Sequence, residues 1–232
     1  MSVSGQKRKP IRATAKMQPA ARRRRKDAAP LERERIVATA LAIVDRDGLK
    51  ALSMRRLGAE LGVDPMAVYY YLPNKQALFD AIVEAVMAGI DLAIDDPKRP
   101  PEERILRAAQ AYCAALMAHA NAMPILLEHG PATPVALRPV ELLVGILRDA
   151  GLPPAEALAG MNVIAAAVRG AVGMGAVDAP GDQDMDDHWS RLSVAEFPHL
   201  AEALTVPGAT FEKLFDFGIR ALARGLLAEV RA

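Results

Sequence analysis

The chain is poor in cysteine and in aromatic residues. Its 232 residues include one cysteine, Cys113, and only 4% aromatics. A single cysteine excludes an internal disulfide and a zinc site built from several cysteines, and is typical of a small buried apolar residue. Sustained alternation of polar and apolar residues is also missing, so no strand is predicted. The 52% hydrophobic content, rich in alanine, leucine and valine, instead predicts an all-α fold.

No segment that would take the chain to or across a membrane is predicted. Its first 30 residues are polar and basic, without the apolar run of a signal peptide. The longest apolar stretch, Ala157–Val177, approaches spanning length but contains Asn162 and Arg169. We therefore expect a buried helix there, no membrane partner and a cytoplasmic location.

Charge is distributed unevenly. Residues 1–30 carry ten Lys and Arg against the single acid Asp27, a net of +9, whereas the other 202 residues carry 19 basic and 27 acidic residues, a net of −8. Without apolar periodicity between its charges, residues 1–30 are predicted to be a disordered basic arm. Such an arm suits DNA phosphates, on the backbone or in a minor groove, although a solubilising tail has the same composition. Its candidate DNA contacts are Arg22, Arg23, Arg24 and Arg25.

The stretch 53–75 predicts a helix, a tight turn and a second short helix. Ser53 is a good N-cap for the first helix, and Gly62 stands where a helix C-terminus favours a left-handed residue. Asp64 and Pro65 supply an N-cap and a first-turn proline for the second helix. Three consecutive tyrosines, residues 69–71, then point away from the inward-facing apolar positions. This layout predicts a helix-turn-helix that reads DNA, with a generic pair of packed helices as the alternative.

Further helices are predicted along the rest of the chain. A helix from Gln76 to Ile94 would connect the head, residues 31–94, to the remainder of the molecule. The proline-rich segment 95–101 is the predicted domain boundary, and residues 102–232 form the second domain.

Two parts of the sequence resemble the TetR family of bacterial transcriptional repressors. The run GLKALSMRRLGAELGVDPMAVYYYLPNKQALFDAIV, within residues 31–94, is similar to the family's DNA-binding domain. Residues 104–178 are similar to the regulatory domain of the tetracycline repressors, above all in AYCAALMAHANAMPILLEHGP and GLPPAEALAGMNVIAAAVRGAVGMG. The resemblance implies an all-α homodimer, with an N-terminal three-helix helix-turn-helix domain joined to an α-helical ligand-binding and dimerisation domain. It also implies a palindromic operator in double-stranded DNA and a small-molecule effector that releases it.

The resemblance also implies positions for the DNA contacts. Arg55 is the candidate for a bidentate contact to guanine, although a merely solvated arginine has the same pattern, while tyrosine and lysine suit phosphates. The implied contact residues are Ser53, Met54, Arg55, Met66, Ala67, Tyr69, Tyr70, Tyr71 and Lys75.

The effector pocket departs from that of the tetracycline repressors. Ala108 stands in place of their drug-binding asparagine and Met174 in place of their metal-linked glutamate, so tetracycline with magnesium is not the expected effector. The polar candidates for the pocket are Tyr112, His119, His129 and Arg169. Each histidine also suits an ordinary loop or helix end. Arg169, within an alanine- and glycine-rich helix, needs an acid on the protein, on a partner chain or on an anionic effector.

Two helices predict the dimer interface. One presents small residues that let another helix approach closely: Ala159, Gly160, Ala166, Gly170 and Gly173. The last helix, predicted over Phe211–Val230, brings larger apolar residues to one side: Phe211, Leu214, Phe215, Ile219, Leu222 and Leu226. Two such helices from each chain would form a four-helix interface, unless both pack only inside one monomer.

The predicted function is therefore sequence-specific transcriptional regulation. A non-specific DNA-binding protein driven by the basic arm is the alternative, and it would bind unrelated duplexes equally. An enzyme has little support, because metal-spaced histidines, a glycine-rich phosphate loop and a nucleophile elbow are missing. Asp186, Asp187 and His188 cluster in an acidic loop predicted over residues 179–189, where solvation explains them better than a metal does. We expect no catalytic residue, no cofactor and no metal.

Overall fold

The computed structural model describes residues 31–177, 193–204 and 210–231. The described part of the chain is all helical, with ten α-helices and no strand, as the sequence predicts. The helices are α1 (Arg33–Asp47), α2 (Met54–Leu61), α3 (Pro65–Tyr71), α4 (Lys75–Ala88), α5 (Pro101–Ala118), α6 (Met123–Glu128), α7 (Pro134–Asp149), α8 (Pro154–Val177), α9 (Pro198–Leu204) and α10 (Phe211–Ala228). The predicted basic arm, with its four candidate DNA-contact arginines, and the predicted acidic loop with His188 lie outside the described residues.

The predicted caps define helices α2 and α3. The backbone N–H of Arg56 donates to Ser53 Oγ at 3.1 Å, which satisfies an amide in the first turn of α2. Gly62 ends α2 in the left-handed conformation, with φ at 71°. Asp64 Oδ1 then accepts from the backbone N–H of Met66 at 2.8 Å and starts α3. The local chemistry of the turn thus sets where α2 begins and ends and where α3 begins.

A close contact at Gly58 brings α2 and α3 together. A Cβ built at this position would lie 3.1 Å from the backbone oxygen of Val63 and 3.2 Å from the Cα of Pro65. Because both neighbours are backbone atoms, only glycine fits without displacing the turn. Residues from all four helices of the head are fully buried in its core: Ile36, Leu57, Val68, Leu78 and Ile82.

The helix predicted from Gln76 to Ile94 is wrong over its last six residues, 89–94. Helix α4 ends at Ala88, where Gly89 closes it with backbone hydrogen bonds to the preceding turn. Asp91 Oδ1 then accepts from the N–H of Ala93 at 2.9 Å, and Leu92–Ile94 forms a 3₁₀ turn. A side-chain acceptor that bonds to its own backbone competes with the helix, so the chain turns at this point.

The body of the molecule consists of α5 to α8 and α10, with α8 packed against α5, α7 and α10. By length and composition alone, Pro154–Met174 of α8 could cross a membrane, although a core helix passes the same test. Here one of its faces is buried, through Met161, Ile164 and Val168.

The predicted buried cysteine, Cys113, lies in α5, and burial raises the pKa of its thiol. Helix α9 had no predicted counterpart, because its seven residues are too few to show a period.

The buried side chain of Arg104, in α5, joins the body to Asp95 in the segment that follows the head. Its side chain is 7% exposed, and its Nε and Nη2 atoms donate to the two carboxylate oxygens of Asp95 at 2.7 and 2.8 Å. A third bond runs from Nη2 to Asp149 at the end of α7, at 3.1 Å. Such a bidentate pair is among the stronger ionic contacts in proteins. It fixes the linker, α5 and α7 together. The domain boundary proposed over residues 95–101 stays a prediction.

Candidate nucleic-acid interface and cavity

Helix α3 presents an aromatic surface to solvent. Val68 and Leu72 are buried on its inner side, while Tyr70 is 85% exposed and Met66 70% exposed. The rings of Tyr70 and Tyr71 make an edge-to-face contact with centroids 5.3 Å apart. We call Met66, Tyr69, Tyr70 and Tyr71 the aromatic face. Hydroxyl-bearing rings on a short, well-capped helix can reach phosphates and base edges without any cost to the core.

Arg55 and Arg56 differ although they are neighbours on α2. Arg56 Nη2 donates to Asp47 at 2.8 Å and its Nε lies 3.8 Å from Glu60, within a network that also includes Arg46. Arg55 is exposed, and within the described residues its guanidinium has no hydrogen-bond or ion-pair partner. The network anchors the end of α1 to α2, and it leaves the guanidinium of Arg55 available.

The other predicted contact residues lie close by in the head. Ser53 is exposed at the N-cap of α2, and Met54 and Ala67 are half-buried at the first turns of α2 and α3. Lys75 is exposed at the first position of α4, where its Nζ lies 5.1 Å from the ring centroid of Phe79. The predicted residues 53–55, 66–67, 69–71 and 75 therefore lie at the start of α2, along α3 and at the start of α4.

A cavity of about 160 Å³ lies in the body. Its walls come from helices α4 to α8 and from the segments that follow α4 and α6, and most are apolar. Four polar side chains line it: Tyr112, His129, Asn162 and Arg169. Three of these were predicted for the pocket, and Asn162 was noticed in the sequence only as a polar interruption of an apolar helix. The predicted departure Ala108 also lines the cavity.

His129 connects the cavity with the head. Its ring lines the cavity, and its Nδ1 lies 2.7 Å from Gln76 Nε2 and 3.4 Å from Asp80 Oδ1, both on α4. The ring also meets Phe79 edge to face, with centroids 5.2 Å apart.

Glu84, also on α4, has a pKa below its usual range. The hydrogen bond from the Thr133 hydroxyl is the main cause, the pairing with Arg33 adds to it, and burial acts in the opposite direction. Helix α4 is thus held by polar contacts with the body.

His119 does not line the cavity, contrary to its place among the predicted pocket residues. Its Nδ1 lies 2.9 Å from Asp45 Oδ2 on α1, and the nearby Asn121 Nδ2 donates to the backbone oxygen of Asp45 at 2.7 Å. The histidine follows the last residue of α5, where the chain turns toward the head. It therefore contributes to the junction of head and body, the helix-end role that the sequence left open.

The two helices predicted for dimerisation share their residues between the core and the surface. Gly160 packs within the monomer, since a Cβ there would lie 3.2 Å from Leu226 Cδ1. Phe215 and Ile219 are also buried, while Phe217 is 74% exposed. The outer residues of both helices are exposed and either small or apolar, and we call them the α8–α10 face: Leu158, Ala159, Val163, Ala166, Gly170 and Met174 with Leu214, Phe217, Ala221 and Gly225.

Within the described residues, no group of three or more His, Cys, Asp or Glu side chains is placed to hold a metal ion. The acidic cluster around His188 lies outside them. The geometry is that of a helix-turn-helix head joined to a body with an apolar cavity.

Comparisons with known proteins agree with this geometry. Residues 36–82 match the family of bacterial regulatory proteins called tetR, and residues 96–230 match the tetracyclin repressor-like C-terminal domain. A curated HTH-type transcriptional regulator of Saccharopolyspora erythraea is 27% identical over 202 residues, which cover 85% of each chain.

Two solved structures from Streptomyces coelicolor are similar along nearly their whole length. A possible TetR family transcriptional regulator is 33% identical, with a TM-score of 0.74, and the match covers 85% of this chain and 99% of that one. The TetR family protein ActR, solved in complex with actinorhodin, is 27% identical, with a TM-score of 0.76 and coverage of 87% and 99%. The chain belongs to the TetR family and is a sequence-specific, DNA-binding transcriptional regulator of the helix-turn-helix type.

Proposed function

We propose that the protein is a homodimeric repressor that binds a palindromic operator and is released from it by a small molecule in the cavity. One observation carries the proposal. Helix α4 begins at Lys75, beside the aromatic face, and its later residues Val83 and Met87 form part of the cavity wall. A ligand that displaces this wall would therefore move the element that positions the head.

The contact at His129 makes the coupling specific. Its imidazole touches the cavity on one side and Gln76 and Asp80 of α4 on the other. A ligand that repositions the imidazole would break these bonds within the first two turns of α4. A difference of a few kcal/mol in ligand affinity between two head positions is enough to switch operator occupancy. The solved complex of ActR with actinorhodin supports a small-molecule effector for this fold.

The α8–α10 face supports the homodimer. Phe217 and Met174 are 74% and 70% exposed, and small residues lie between such apolar groups. A large exposed apolar surface of this kind marks an interaction site, and a two-fold axis would bring the same helices of two chains together. Two heads on one axis would then reach successive major grooves about 34–36 Å apart.

The DNA contacts proposed for each head are Ser53, Met54, Arg55, Met66, Ala67, Tyr69, Tyr70, Tyr71 and Lys75. Arg55 is proposed to read a guanine, because its guanidinium is exposed and has no partner within the described residues. Residues 1–30, with Arg22 to Arg25, are proposed to add phosphate contacts. The protein would act in the bacterial cytoplasm, without catalytic activity and without a cofactor.

Selection of bound sequences tests the proposal. Random and genomic duplexes would be selected at physiological salt with the full chain and with a version that lacks residues 1–26. An enriched palindrome in both selections, with weaker binding by the shorter version, is the expected result. Binding without any enriched motif, lost together with the arm, would instead establish a non-specific DNA-binding protein.

A further inference from the structure

Arg169 is the cationic residue of an otherwise mainly apolar cavity. The walls include Val83, Met87, Leu143 and Ile164, and none of the residues that line the cavity is an aspartate or a glutamate. A guanidinium carries its charge at any physiological pH. The cavity therefore presents a positive charge that its own walls do not neutralise.

The register of α8 explains why this side chain reaches the cavity. Asn162, Ala165 and Arg169 are spaced by three and four residues, so they lie on one face of the helix, and all three line the cavity. Arg169 is half-buried, and within the described residues it has no hydrogen-bond or ion-pair partner. Tyr112, which is half-buried, and Asn162, which is exposed, also line the cavity, and within the described residues neither side chain has such a partner.

We propose that the effector of this cavity is an anionic amphiphile, a mainly apolar molecule that carries a carboxylate or a similar oxyanion paired with Arg169. The planar guanidinium donates a fork of hydrogen bonds that matches an oxyanion, and Asn162 and Tyr112 supply neutral donors elsewhere in the lining of the cavity. The apolar walls accommodate the rest of the molecule. This inference rests on the proposed function, because it names the chemical class of the same effector.

An acid from a second subunit is the competing partner for Arg169. Ala166 and Gly170, its neighbours on α8, belong to the exposed α8–α10 face, so the guanidinium lies near the proposed dimer interface. If it paired with a carboxylate of a second subunit, its removal would weaken the dimer and leave ligand binding unchanged. The two partners therefore predict different results for one substitution.

Two fluorescent probes that differ by a single charge test the proposal. Anilinonaphthalene sulfonate is an anion, and N-phenylnaphthylamine is the same ring system without the sulfonate. Both would be titrated into the full-length protein, and the readout is the ratio of the two dissociation constants in each variant. We expect Arg169→Gln to weaken binding of the sulfonate about tenfold relative to the neutral probe, because a charge-assisted hydrogen bond is lost. Arg169→Lys should recover part of the ratio, because it keeps the charge and loses the fork.

Matched variants locate the effect. Arg138→Gln removes an exposed arginine of α7 outside the cavity, and it should leave the ratio unchanged. Ala108→Phe fills the cavity from α5 and should weaken binding of both probes. Circular dichroism and sedimentation of each variant would confirm an unchanged fold and record the dimer.

The possible failures are distinguishable. A ratio that Arg169→Gln does not change, with binding still blocked by Ala108→Phe, would overturn the anionic class and leave the effector cavity in place. A weakened dimer with an unchanged ratio would overturn the class as well and assign Arg169 to the subunit contact. Absence of binding by either probe, or binding insensitive to Ala108→Phe, would overturn the inference together with the effector site of the proposed function.

Discussion

The head and the cavity place their polar groups in opposite ways. In the head, the core is apolar and the candidate contact residues, such as Arg55 and Tyr70, project into solvent. In the cavity, Arg169 and Tyr112 are half-buried and lie among apolar side chains. Exposed side chains that make no packing contact can be replaced without a loss of folding stability. Substitutions at these positions can therefore change the DNA sequence that the head recognises. Polar groups at a cavity wall carry a desolvation cost that a bound ligand would offset.

Removal of Arg55 gives the largest expected effect on the head alone. Arg55→Ala should weaken operator binding by about 1–3 kcal/mol in each head, because a guanine contact is lost without any change in the core. Arg56→Ala is the matched control, since Arg56 is already engaged with Asp47 and Glu60. Fluorescence anisotropy with the selected operator measures both. Equal losses for the two variants would remove the distinction between a reading and a structural arginine.

Arg104→Met should damage the body and leave the reading surface intact. The substitution leaves Asp95 without its partner in a mostly buried site, and we expect the free energy of unfolding to fall by about 3 kcal/mol. Arg99→Met is the control, because Arg99 pairs with Asp96 and Glu103 at the surface, where a loss below about 1 kcal/mol is expected. Urea unfolding measures both. A small effect of Arg104→Met would show that the bidentate pair of Arg104 with Asp95 contributes little to the free energy of unfolding.

Alanine substitutions at two glycines, one in the head and one in the body, should change the stability of the protein in opposite directions. Gly58→Ala should destabilise the protein by about 1–2 kcal/mol, because the new methyl group meets backbone atoms of the turn between α2 and α3. Gly145→Ala in α7 meets no atom within 4 Å and should stabilise the protein by about 0.5–1 kcal/mol through helix propensity. Thermal unfolding gives the two signs. Destabilisation by both would mean that contact at the turn is not the cause.

Acid should reduce the contribution of the Asp95–Arg104 pair. The hydrogen bond from Arg104 holds the pKa of Asp95 below its usual range, against the smaller opposing effect of burial. A lowered folded-state pKa stabilises the protein above the unfolded-state pKa of about 3.9, and this contribution is lost as the pH falls through the folded-state value. Asp95→Asn should therefore destabilise the protein at neutral pH, by less than Arg104→Met does, and the difference from wild type should shrink below about pH 4. A difference that is constant with pH would contradict this linkage.

The sequence predicts the head well because its signals are local. Ser53, Gly62 and Asp64 each act on a backbone group within three residues, and the structure confirms all three caps. The close approach at Gly58 was missed, although a glycine inside a predicted helix is a signal for it. The end of α4 was missed because an aspartate bonded to its own backbone overrode the apolar periodicity.

The cavity depends on contacts between residues that are far apart in sequence. Its walls extend from Val83 to Arg169, so periodicity within one helix can show that a residue faces inward but not what it faces. Tyr112, His129 and Arg169 were found because polar residues stand out in apolar helices. His119 stands out in the same way, and only its pairing with Asp45 distinguishes it.

The spacing between the two heads tests the central claim most directly. A nitroxide placed at Ala59→Cys, exposed on α2, would report the distance between heads, while Cys113 stays unlabelled because it is buried and its thiol pKa is raised. With the selected operator bound, we predict one narrow distance distribution, consistent with heads about 34–36 Å apart. Absence of dipolar coupling between the labels, or a broad distribution that the operator does not narrow, would contradict a dimer that reads successive major grooves.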